Sequence, residues 1–185
     1  IDRSRKISGR LVKGVEALMK GNGVDVLLGE GRLTAADTVD VALNEGGHET
    51  LTAGAVILAT GARPRLFPGV TVDGEKVITS REALELRDLP ESAIVIGAGP
   101  IGLEFATIWR SYGTKVTVVE MLDQVLPAED PEAAKELSRY LRRMRIKAMT
   151  STRVQEVIAT DDGVVVDVEG PKGEKTLDAD VALVA

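Results

Sequence analysis

Residues 92–120 read SAIVIGAGPIGLEFATIWRSYGTKVTVVE, and this stretch decides the fold. Ala93-Ile94-Val95-Ile96 is a short apolar run rich in β-branched residues. Such a run suits a strand buried on both faces of a parallel sheet. Gly97, Gly99 and Gly102 follow as G-x-G-x-x-G. Ile101, Phe105, Ile108 and Tyr112 then recur at helical spacing and predict a helix with that face inward. Gly113 stops the helix, and Val116 to Val119 predicts a second strand ending at Glu120. The order is β-α-β.

Each glycine has a physical role in such a unit. Gly97 lets the chain turn sharply out of the strand. Gly99 offers backbone without a Cβ, so a pyrophosphate can come close. Gly102 lets the helix pack against the sheet. The helix N-terminus presents N–H groups and a partial positive charge to phosphate, and Pro100 in its first turn gives up little. Glu120 follows the last glycine by eighteen positions. There a carboxylate accepts both ribose hydroxyls of an adenosine and repels a 2′-phosphate. Met121, Leu122 and Asp123 bring no arginine after it, so NAD(H) is expected over NADP(H). Glycine turns are common, but strand, helix, second strand and acid together make this one specific.

Composition narrows the function classes. The 185 residues carry a formal charge of −6, which argues against nucleic acid as a main partner. Aromatic residues are 3%, too few for base-stacking platforms. No apolar run reaches the roughly 20 residues of a membrane helix, no signal peptide is visible, and a cytoplasmic setting is expected. There is no cysteine, hence no disulfide framework, thiolate metal site or thiol nucleophile, and no metal site is predicted. The chain begins with Ile1 and stops at Ala185 within an apolar run, so it is expected to be an internal piece of a longer protein.

The remaining elements fall on both sides of the central unit. Residues 1–20 predict a helix with Ile7, Leu11, Val15 and Leu18 on one face and six basic residues elsewhere. Val24 to Leu28 predicts a strand. Thr38 to Leu43 and His48 to Thr52 flank the turn Asn44-Glu45-Gly46-Gly47 and predict an antiparallel meander. His48, the sole histidine, sits at that turn and is not expected to be catalytic. Ala55 to Ala59 predicts a buried strand ending in Thr60-Gly61-Ala62-Arg63-Pro64. Arg65 to Val77 is irregular and is the expected domain crossing. Ser80 is read as the cap of a short helix, Arg81 to Leu86. Asp130 caps another helix, with Pro131 first, Ala133, Leu137, Leu141 and Met144 as its buried stripe, and Arg142, Arg143 and Arg145 near its negative end. Ile146 to Met149 predicts a strand. Val154 to Ala159, Val164 to Val168 and Lys175 to Leu177 predict a second meander, and Val181 to Ala185 a returning buried strand. The second half thus repeats the plan of the first. The fold class expected is α/β and Rossmann-like, a parallel sheet with an antiparallel β-meander, in two related nucleotide-binding units of which the first is incomplete.

Several stretches together resemble the flavin-dependent pyridine nucleotide–disulfide oxidoreductases, most closely their dihydrolipoamide dehydrogenase branch. They are Val26 to Leu33, Ala59-Thr60-Gly61-x-x-Pro64, Gly97-x-Gly99-x-x-Gly102-x-Glu104, and Val118 to Pro127. The resemblance implies that residues 1–68 belong to an FAD-binding domain, with Gly31 by the adenosine and Thr60, Gly61 and Ala62 facing the flavin nucleotide. It implies an NAD-binding domain over 69–185. There Gly97, Ala98, Gly99, Pro100, Ile101 and Gly102 hold the pyrophosphate and Glu120 the ribose. Val154 touches the adenine end, Ala185 approaches the nicotinamide side, and Glu104 sits near the nicotinamide–flavin junction. The redox cysteine pair and the catalytic His–Glu pair are expected outside these residues, so no catalytic residue is assigned here. The implied cofactors are FAD and NAD, and the implied partner is dihydrolipoamide on the lipoyl domain of a 2-oxoacid dehydrogenase complex. The parent is expected to be a homodimer. Mercuric- or glutathione-reductase-like enzymes and transhydrogenases are the neighbouring readings. A non-catalytic NAD-binding module is the reading from another class.

Overall fold

A computed structural model describes residues 1–185 and divides into two compact units, Ile1–Ala62 and Arg63–Ala185. The first holds a helix, α1 (Asp2–Gly21), and an antiparallel meander of β1 (Gly29–Ala35), β2 (Thr38–Leu43) and β3 (His48–Thr52). The meander turn forms as its glycines predict, Gly46 and Gly47 having φ of +95° and +88°. Helix α1 also forms, yet none of its residues is buried, and Leu18 on the predicted inner face is 66% exposed.

Two expected strands are corrected. Val24 to Leu28 is irregular, and the strand starts only at Gly29. Ala55 to Ala59 is likewise irregular, with Ile57 89% exposed. Composition suits both runs to a sheet interior, but a strand exists only through its ladder, and neither run enters a ladder with another strand. The returning strand that would make the first half mirror the second is therefore absent from this unit.

The second unit is built on a five-stranded parallel sheet in the order β4-β11-β5-β6-β7. Its strands are β4 (Val77–Thr79), β5 (Ser92–Ile96), β6 (Lys115–Val119), β7 (Lys147–Met149) and β11 (Val181–Val184). Helix α2 (Ser80–Ala83) follows β4, α3 (Pro100–Ser111) joins β5 to β6, and α4 (Pro131–Arg143) joins β6 to β7. A second antiparallel meander, β8 (Arg153–Ala159), β9 (Val164–Gly170) and β10 (Gly173–Ala179), lies between β7 and β11 in the chain. The sheet is covered on both faces, which explains its continuous apolar runs. Ala93, Val95, Val116 and Val118 join the helix-side core with Phe105, Trp109 and Leu141. Ile94, Ile96 and Val119 join the other core with Val164, Val166 and Val168 of the meander. Phe67, Val70 and Val72, from the irregular segment before β4, pack against that second core.

Three local expectations shift. In α3 the buried positions are Gly102, Leu103, Phe105, Ala106 and Trp109, while Ile101 is 49% and Tyr112 72% exposed. Both faces offer apolar residues at helical spacing, and the smaller Gly102 and Ala106 let the helix lie closer to the sheet. In α4 the buried alanine is Ala134, one position from the expected Ala133. The cap of α2 is Thr79 rather than Ser80. Its backbone N–H and hydroxyl both donate to Glu82 Oε2, at 2.8 and 2.6 Å, closing a capping box. Asp130 caps α4 as expected, accepting from the N–H groups of Glu132 and Ala133 at 2.8 and 3.2 Å.

Candidate functional site

The site grows from the turn between β5 and α3. Gly97 takes φ +107°, a left-handed conformation that glycine alone adopts without strain. Its N–H donates to the Val119 carbonyl at 2.8 Å, pinning the turn to the end of β6. A Cβ on Gly97 would collide with the Ala185 carbonyl oxygen, and one on Gly102 with the Gly97 carbonyl oxygen. A Cβ on Gly99 would meet nothing within 4 Å. Gly97 and Gly102 thus each allow a close backbone approach, Gly97 in a left-handed turn, and Gly99 opens onto free space. Gly99 is also the N-cap of α3 and brings no side-chain cap, and Pro100 follows it in the first turn. The N-terminal end of the helix thus faces open space, where an anion is favoured.

Glu120 follows β6 directly and is buried. One carboxylate oxygen accepts the Ala98 N–H at 2.8 Å and the other the Leu122 N–H at 2.9 Å. The acid is thus tied to the glycine turn itself. Ala98 is fully buried, and its carbonyl accepts from Leu126 N–H at 2.8 Å, which draws the loop after Glu120 over the turn. The Glu120 N–H and carbonyl bond to Met149 and Thr152, so the ends of β6 and β7 hold it from both sides.

A cleft of about 590 Å³ opens at this place and contains Gly97, Glu120, Val154 and Ala185 among its walls. Four of the residues singled out in the sequence are thus brought together from four segments. Glu104 is exposed on α3 and is not part of the cleft wall; Ile101 is half exposed beside it in the same helix. In the first unit, Gly31 lies in β1 opposite Val41. Thr60, Gly61 and Ala62 lie in exposed irregular chain, Gly61 with φ +80°.

Sequence reading missed Arg65, Phe67, Thr152 and Arg153, which also line the cleft. Arg153 donates toward the Met121 sulfur at 4.0 Å, next to Glu120. No period or motif marks these positions. They reach the cleft through tertiary folding alone, Arg65 from the segment before β4 and Arg153 from the start of β8. No helix of the protein is long and apolar enough to cross a membrane.

A parallel sheet with a glycine turn at its centre, and an acid at the end of the next strand, defines an α/β protein of the Rossmann-like class. Comparison with known proteins narrows this. The chain belongs to the pyridine nucleotide-disulphide oxidoreductase family, whose pattern matches residues 2–185. Dihydrolipoyl dehydrogenase of Chlorobaculum parvum is 42% identical over 187 residues, covering 100% of this chain and 40% of its own length. Dihydrolipoamide dehydrogenase of Chaetomium thermophilum is 43% identical, covering 99% of this chain and 37% of its own length. Among solved structures, LpdA from Mycobacterium tuberculosis matches with a TM-score of 0.88 and 30% identity, over 99% of this chain and 40% of that one. The resemblance visible in the sequence is thus borne out. The chain spans about 40% of the length of the curated relatives it matches.

Proposed function

We propose that residues 69–185 are the NAD(H)-binding domain, and residues 1–68 part of the FAD-binding domain, of a cytoplasmic flavoprotein. That protein passes electrons from dihydrolipoamide, through a redox disulfide and FAD, to NAD⁺. The observation that carries this is the placement of buried Glu120 at the wall of a cleft, bonded to the glycine turn beside it. Gly97 to Gly102 receive the pyrophosphate, with open space above Gly99 and the α3 terminus behind it. Glu120 accepts the ribose hydroxyls, Val154 lies against the adenine, and Ala185 borders the nicotinamide side. Glu104 stands on the exposed flank of α3 toward the flavin junction. FAD supplies the redox step between disulfide and nicotinamide, and Gly31, Thr60, Gly61 and Ala62 serve its nucleotide. The reduced substrate is carried on a lipoyl domain, and the parent protein is a homodimer. The names of the relatives and the length of chain they share support the reading.

Calorimetric titration of the chain with NADH and then NADPH tests it. NADH is expected to saturate and NADPH to bind much more weakly. Glu120→Ala is expected to weaken NADH by about 1.5–3 kcal/mol, the worth of hydrogen bonds to a charged group, or roughly ten- to hundredfold. A folded variant with unchanged NADH affinity would remove Glu120 from the site.

A further inference from the structure

A second cleft, of about 570 Å³, shares Thr152 with the first. Its walls are β7, the chain leading to Thr152, and the hairpin Gly170-Pro171-Lys172-Gly173 with the start of β10. Lys147, Lys172 and Lys175 all line it, and Glu174 is the one acid among them.

Lys147 on β7 and Lys175 on β10 come from different elements and line the same cleft. The Lys147 ammonium is held below the usual lysine range, first by burial and then by the contact with Lys175 and its charge. Neither lysine has a carboxylate partner, unlike Arg139, which pairs with Glu136 on α4. A lysine on an edge strand such as β7 is a common guard against stray strand pairing. That role does not call for a second lysine brought against it from a separate hairpin. Two apposed ammoniums repel unless an anion lies between them. The hairpin that carries Lys172 and Lys175 is in full register with β9, so the charges are presented on a fixed frame.

We propose that the cleft between β7 and the β9–β10 hairpin binds a small phosphate-bearing anion through Lys147, Lys172 and Lys175. Lysine is a point-charge phosphate binder, and three of them converge on one concave surface. The site is separate from the dinucleotide cleft and does not depend on how that cleft is read.

The test is a titration with inorganic phosphate at constant ionic strength, followed by amide shifts in heteronuclear NMR. Saturable shifts are expected at Lys147 to Thr150 and Gly170 to Lys175, and sodium chloride should not reproduce them. The double variant Lys147→Gln/Lys175→Gln should bind phosphate at least about tenfold more weakly. Lys135→Gln, an exposed lysine on α4, should bind like the parent. Without phosphate, the double variant should melt no lower than the parent, because a repulsive pair is gone. If the double variant does not fold, Lys175→Gln alone is read in the same way. Ribose 5-phosphate serves as a second probe: saturation by both assigns a terminal phosphate group, and saturation by inorganic phosphate alone assigns the free ion. Shifts equal in chloride, shifts that never saturate, or parent-like binding by the lysine variants would each overturn the proposal.

Discussion

Adding one methyl group at Gly99 or at Gly102 should have opposite consequences, and the contrast isolates binding from folding. At Gly102 the new Cβ collides with the Gly97 carbonyl oxygen and comes within 3.1 Å of Val95 Cγ1. Gly97 cannot yield, since its left-handed φ and its bond to Val119 fix the turn. Helix α3 must move off β5 instead, taking Phe105, Ala106 and Trp109 out of register with the core. Overpacking of this kind costs about 1–3 kcal/mol, a drop of roughly 4–12 °C in melting temperature for a unit of this size. At Gly99 the same methyl points into open space, and φ of −71° suits alanine. Exchanging glycine for alanine at a helix N-cap costs about 0.5–1 kcal/mol. The methyl stands, however, where the pyrophosphate must approach, so NADH affinity should fall at least about tenfold. Circular dichroism melts and NADH calorimetry on the two variants decide the matter. If Gly99→Ala binds NADH like the parent, or Gly102→Ala melts like it, the division of labour among the glycines is wrong.

Other perturbations probe the frame of the same unit. Leu141 is buried in the helix-side core, and Leu141→Ala should cost about 2–5 kcal/mol in a denaturant melt. The Asp180 carboxylate accepts from the N–H groups of Glu91 and Ser92 at 2.6 and 3.0 Å, tying the turn before β11 to the start of β5. The Ser92 N–H, above all, holds this carboxyl below the usual range, against the opposing effect of burial. A depressed carboxylate contributes stability that is present above its unfolded pKa and lost as pH falls through the folded one. Acid melts should therefore show parent stability declining below roughly pH 4, with a shallower decline in Asp180→Asn.

The centre of the fold was legible because its signals are local. The glycine spacing, the stop at Gly113 and the Asp130-Pro131 cap each act within a few residues, and each appears where the chain implies. What failed was whatever needs a partner to be decided. Val24 to Leu28, apart from Asp25, and Ala55 to Ala59 are as rich in apolar and β-branched residues as Val181 to Val184. The last run became a strand because β4 and β5 bond to its two edges. The first two enter no ladder, and most of their side chains stay exposed. Pattern reports that a segment suits a sheet, not which neighbour completes it. The same limit hid Arg65 and Arg153, charged residues in irregular or edge positions that only tertiary folding brings beside Glu120.

Glu120 shows how the local and tertiary levels combine on the proposed reading. Its carboxylate already accepts two backbone N–H groups, from Ala98 and Leu122. An ionised carboxylate has about four lone-pair sites. Two therefore stay available for the ribose hydroxyls without breaking either bond to the frame. The orientation of the acid is settled when the chain folds, so little conformational freedom is left to lose on binding. Its bond to Ala98 also couples the group that would read the ribose to the turn that would hold the pyrophosphate. Shortening the side chain in Glu120→Asp would force a choice between these roles. If the carboxylate keeps its hold on Ala98, the melt stays near the parent while NADH binding falls. If it reaches for the ribose instead, the turn loosens and stability falls first.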